Sequence, residues 1–137
     1  MTGGYDENDS NSKTTTELVD RNGAIPGPVL PWGFTNHCVT ELTEFMAIMI
    51  GGSEKSRATF FLELLYDGHY RPHGQGPDLD GYGRTNHACA HIRADNGSNY
   101  VIAAGGLNNN EVVLDTSEIL QVIHPIYSSI WRPGKYK

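Results

Sequence analysis

The sequence predicts an all-β protein of antiparallel four-stranded units, repeated along the chain. Three observations carry this reading. Thr35-Asn36-His37 recurs as Thr85-Asn86-His87, a period near 50 residues. Each triplet precedes an apolar run closed by a double glycine: Phe45–Ile50 with Gly51-Gly52, and Tyr100–Ala104 with Gly105-Gly106. The composition, 16 Gly and 7 Pro in 137 residues with 38% hydrophobic side chains, favours many turns and short strands over long helices.

The elements follow in order. Residues 1–14 (MTGGYDENDSNSKT) are acidic, rich in Ser and Asn, and read as a disordered acidic tail. They hold neither the basic start nor the apolar stretch of a targeting signal, so the expected address is cytoplasmic, reducing, with free thiols. Thr15-Thr16-Glu17-Leu18-Val19 resembles the later Thr59–Leu65 run and opens a partial unit over 15–31. Full units span 32–80 and 81–134, and 135–137 form the C-terminal end. First strands are expected at His37–Leu42 and His87–Arg93. Second strands at Phe45–Ile50 and Tyr100–Ala104 are apolar without alternation, the pattern of a strand covered on both faces. Third strands at Thr59–Tyr66 and Leu114–Ile123 are rich in β-branched, aromatic and large apolar residues. Fourth, edge strands near Tyr70–Pro72 and Ile130–Arg132 tolerate proline because an edge N–H is dispensable. Asp95-Asn96-Gly97 marks a hairpin. Gly27-Pro28-Val29-Leu30 recurs as Gly76-Pro77-Asp78-Leu79 ahead of each unit. Glu63 and Glu118 are matched as a recurring third-strand acid with a solvated or hydrogen-bonded edge role rather than an acid–base one.

A period near 50 is the spacing of a propeller blade. Arg84-Thr85-Asn86-His87-Ala88, then Tyr100–Gly106, then Trp131, resembles the kelch-repeat family. The earlier unit offers Phe34-Thr35-Asn36-His37-Cys38, Gly51-Gly52 and Tyr66-Asp67. It departs from the family pattern at Phe34, which replaces Arg, and at Tyr70, which stands near the Trp position. The resemblance covers 15–134. It implies antiparallel four-stranded kelch blades forming an incomplete β-propeller, with His37, Gly51, Gly52, His87, Gly105, Gly106 and Trp131 as structural motif residues. It also implies a non-catalytic protein-interaction module, in longer members the substrate-recognition part of a ubiquitin-ligase adaptor carrying a BTB domain. The alternative is a fragment of an enzymatic propeller, copper oxidase-like or isomerase-like.

The residues themselves exclude several chemistries. A net charge of −6 argues against nucleic acid, whose phosphates need clustered Lys and Arg. The longest apolar run, Phe45–Ile50, is too short to span a membrane. No Gly-x-Ser-x-Gly elbow or Ser, His and Asp set supports a nucleophile. His87 with His91, and His69 with His73, are four apart, but no Cys-x-x-Cys completes a zinc set. Neither metal nor cofactor is expected. Cys38 and Cys89 are read as small buried hydrophobes rather than a disulfide. Two Asn-x-Ser tripeptides, at Asn8 and Asn96, matter only in a secreted chain.

Recognition remains, through loops between strands. Trp32, Phe34, Lys55, Arg57, Tyr82, Arg84, Asn108 and Asn109 supply the aromatic, cationic and amide groups that interfaces favour. The partner is a protein or peptide. Self-association through open blade faces is expected as well, because end units leave apolar surface uncovered.

Overall fold

The computed structural model describes residues 5–6, 11–53, 56–65, 70–81, 83–123 and 130–134. Among these residues there is no helix, and hence none long and apolar enough to cross a membrane. Two short hairpins come first. Strand β1 (Tyr5–Asp6) pairs β2 (Asn11–Ser12), inside the stretch the sequence reads as disordered, and β3 (Glu17–Asp20) pairs β4 (Gly23–Pro26). Two four-stranded antiparallel sheets follow. The first orders β5 (Cys38–Thr43), β6 (Met46–Ile50), β7 (Thr59–Leu64) and β8 (Tyr70–Gln75). The second repeats the same meander with β9 (Ala88–Arg93), β10 (Asn99–Ala104), β11 (Ser117–Val122) and β12 (Trp131–Pro133). All eight strands fall where the repeat places them.

Register explains which side chains meet. Residues directly opposite across antiparallel strands share a face. Ile48 pairs Phe61, and Ile50 pairs both Cys38 and Thr59, so these form one face of the first sheet. Met49 pairs Phe60 and Ala47 pairs Leu62 on the other. In the second sheet Val101, Leu120 and Trp131 align across three strands, and Ala103 aligns with Cys89 and Glu118. The main core joins Ile48, Ile50 and Phe61 to Val101, Ala103, Leu120 and Trp131, with Leu79 from the connecting segment. The forward face of the first sheet thus packs on the back face of the second. A smaller core covers the back of the first sheet: Met49, Phe60 and Leu62 against Leu30, Phe34 and Trp32.

The successive sheets therefore stand head to tail. The forward face of the second, with Tyr100, Ile102 and Ile119, has no sheet against it among the described residues. It lines a cavity of about 460 Å³. This corrects one expectation. In β6 every residue from Ala47 to Ile50 is buried, but β10 buries only Val101 and Ala103, because one of its faces has no following sheet.

A third, partial copy shows in the strand-end bonds. Thr16 Oγ1 donates to Pro28 O (2.7 Å), as Thr59 Oγ1 does to Pro77 O (2.6 Å). Gly27 N donates to Thr16 O, Gly76 N to Thr59 O and Gly134 N to Ser117 O, all within 3.0 Å. The β3–β4 hairpin is thus the counterpart of β7–β8 and β11–β12.

The cysteines differ from expectation. Cys38 and Cys89 form a disulfide, with Cα atoms 5.9 Å apart, a separation that suits the bond. They sit one position out of step relative to His37 and His87. That offset puts Cys38 on a forward face and Cys89 on a back face, so two successive sheets bring them together.

Candidate interaction site

The segments leaving β6 and β10, and those entering β5 and β9, gather at one end of the sheets. Local backbone needs set their shape. In Thr-Asn-His the Asn takes the left-handed conformation, at φ 54° for Asn36 and 53° for Asn86, which Asn tolerates better than other side-chain-bearing residues. Asn86 N then donates to Asn36 O at 2.9 Å, stitching one repeat to the next. The glycine pairs come close to these turns. A Cβ on Gly52 would lie 2.8 Å from Thr35 O, and one on Gly106 would strike Thr85 O. Ser53 N donates to Thr35 O (2.9 Å), Gly52 N to Arg84 O (3.0 Å) and Arg84 N to Ser56 O (2.8 Å). Thr85 and Leu107 exchange both backbone bonds at 2.9 Å.

Beneath this surface lies a buried ion pair. Arg84 Nε donates to Glu118 Oε2 at 2.8 Å, and both side chains are nearly inaccessible. Arg84 Nη1 donates to Gly105 O (2.9 Å) and Thr116 O (2.8 Å), and Nη2 to Thr116 Oγ1 (3.0 Å). Burial pushes the Glu118 carboxyl up, while the bond and charge of Arg84 pull it down. Burial lowers His37, and lowers His87 to about 4, with the charges of Arg84 and His37 adding to the effect at His87.

The first repeat fills the same place with carbon. Phe34 precedes β5 as Arg84 precedes β9, and Phe60 pairs Met49 as Glu118 pairs Ala103. Trp32 stacks on Phe34 at 5.5 Å between ring centroids and meets Phe60 edge-on at 5.8 Å. An ion pair in one repeat is an aromatic cluster in the other, an exchange that buried pairs tolerate when both partners change together. Register also corrects the match of Glu63 with Glu118. Glu63 is the counterpart of Gln121, and it pairs the exposed Arg71 at 2.7 Å.

The residues expected to bind a partner divide accordingly. Phe34, 1% exposed, and Arg84, 3% exposed, are interior groups and not surface anchors. Trp32 is half-buried in the aromatic cluster. Asn108 braces its own loop, its Oδ1 accepting from Asn110 N (2.9 Å) and Val112 N (3.0 Å). Lys55 and Tyr82, with His69, lie outside the described residues. Arg57 and Asn109 do come together. They line a cleft of about 280 Å³ with Ser56, Ala58, Gln75 and Asp78. Ser56 Oγ donates to Asn109 Oδ1 at 2.6 Å across the two repeats, and Arg57 Nε donates to Leu79 O at 3.0 Å. Gln75 was missed by sequence reasoning. Asp78 begins one of the loops, 78–85, that the sequence places at the binding mouth, and its variable position inside the recurring Gly-Pro-x-Leu segment is a further signal of an outward role.

No protein-family model matches this chain, and no curated protein matches it in sequence.

Proposed function

We propose that the chain is part of a kelch-type β-propeller and acts as a non-catalytic protein-interaction module. It takes a peptide or protein loop of its partner in the cleft of Arg57, Gln75, Asp78 and Asn109. The observation that carries this reading is the Ser56–Asn109 bond, which joins loops of two repeats around a cleft bearing charge of both signs. Such a cleft offers a cation, a carboxylate and amides to an extended backbone and its side chains. Two successive four-stranded meanders with a recurring period support the propeller part. Self-association belongs to the same reading, through the open forward face of the second sheet. A reducing cytosol would hold Cys38 and Cys89 as thiols, so their bond speaks against the cytoplasmic, ligase-adaptor version of this role.

Selection from a displayed peptide library against the full chain tests the proposal. Enriched peptides should lose about 30-fold in affinity to Arg57→Ala, the size of an interface hot spot. Asn109→Ala should weaken the same peptides. Arg71→Ala, at the end of β8 opposite Gln75, should leave them unchanged. Peptides that bind all three variants like the parent chain would contradict the proposed cleft.

A further inference from the structure

We infer that Asn96 is a site of N-linked glycosylation. Two independent observations meet here. The first is the tripeptide Asn96-Gly97-Ser98, the acceptor pattern for an asparagine-linked glycan. It sits at the tip of the β9–β10 hairpin, and Asn96 is exposed. Ala94 N donates to Ser98 O (2.8 Å) and Gly97 N to Ala94 O (2.9 Å), closing the turn. Ser98 N donates to Asn96 Oδ1 at 2.9 Å. This fixes the carboxamide against the residue that completes the acceptor pattern, in a bond that does not use Nδ2.

The second observation is the Cys38–Cys89 bond. Structural disulfides form and persist in oxidising compartments, where asparagine glycosylation also takes place. Together the two observations place an accessible acceptor in a chain built for the compartment that modifies it.

The position suits a docking module, although the inference does not depend on that role. In the β9–β10 ladder Ala88 pairs Ala104 at the end that carries the interaction loops, and Arg93 pairs Asn99 at the opposite end. A glycan on Asn96 therefore projects away from the cleft of Arg57 and Asn109.

The co-reactant is an oligosaccharide carried on a polyprenyl pyrophosphate. Asn96 Nδ2 bonds to the anomeric carbon of the sugar. The bond from that carbon to the pyrophosphate oxygen breaks, and the lipid pyrophosphate leaves with the electron pair. One Nδ2 proton passes to a base of the transferase. No oxidation or reduction is involved.

The test is peptide mass spectrometry of the full chain isolated from its own cells with an antibody, treated with an amide-cleaving glycosidase in heavy-oxygen water. The expected result is conversion of the Asn96 carboxamide to a carboxylate that carries the heavy oxygen. Unmodified Asn96 would overturn the inference. So would conversion without the label, or labelling that does not need the glycosidase, since both are products of ordinary deamidation at Asn-Gly. Expressed in the same cells, Ser98→Ala should lose the modification, and Ser98→Thr should keep it. Both retain the backbone N–H that holds the turn. Equal glycosylation of Ser98→Ala and the parent chain would also overturn it.

Discussion

Arg84→Phe leaves the Glu118 carboxyl buried without its cation, and Glu118→Phe leaves the Arg84 guanidinium buried without its anion. Each single change should cost about 3–5 kcal/mol, the usual penalty for breaking a buried pair from one side. The double variant should recover much of that loss, because Phe34 and Phe60 already fill the same place in the preceding repeat. Urea unfolding of all four chains gives the coupling; additive losses would contradict the equivalence of the two sites. His87 supplies a second test at this scale. It is neutral when folded, with a pKa near 4 against an ordinary 6.5. Between those values the unfolded chain takes up a proton that the folded chain refuses, so stability falls as pH drops from 6.5 to 4. A loss of about 1–3 kcal/mol is expected over that window. Glu118 works with the opposite sign: its raised pKa gives the folded state the extra proton, and its contribution declines as pH rises above the ordinary carboxylate range. Comparison with His87→Gln, which should reduce the fall between pH 4 and 6.5 and leave the part that His37 contributes, isolates the His87 imidazole.

Strands and turns were the most legible elements. A buried second strand, a double glycine and a Thr-Asn-His turn are local patterns, and each recurs with its own backbone reason. Gly52 at φ 108° and Gly106 at φ 85° face carbonyls of the neighbouring turn. Gly52→Val and Gly106→Val should each lower stability by at least about 1–3 kcal/mol through strain and close contact; unchanged urea midpoints would contradict this. Pairings across elements were not legible. Glu63 and Glu118 share a residue type but not a position, four residues after Thr59 and two after Thr116, and only register reveals Phe60 as the counterpart of Glu118. Phe34 and Arg84 looked like surface anchors because aromatic and cationic residues in loops often are. Both instead turn inward beneath the loops, a placement that depends on what lies across the sheet. The Cys38–Cys89 contact spans two sheets. Its one signal was the single-residue offset within equivalent first strands, which reverses the face of one cysteine relative to the other.

At the scale of the molecule, the repeats form a chain of faces. One joint between four-stranded sheets is made among the described residues, and its forward half is offered again by Tyr100, Ile102 and Ile119 around the cavity beyond the second sheet. Apolar surface of that kind drives association at about 25 cal/mol per Å² buried. Sedimentation of the purified full chain should show concentration-dependent association that Ile119→Lys reduces. A monomer at all concentrations would mean that this face is satisfied without a partner. The disulfide holds the existing joint. It closes a loop over a sequence separation of 51 residues, so reduction should lower stability by about 4 kcal/mol on chain-entropy grounds. The head-to-tail order of the two sheets is tested most directly by a peptide map of the oxidised, monomeric chain digested without reductant. The expected result is one linked pair of peptides containing Cys38 and Cys89 from the same chain, since non-equivalent cysteines meet only when a forward face lies on a back face. Recovery of both residues as alkylatable thiols from the folded chain, or links found only between chains, would contradict that arrangement.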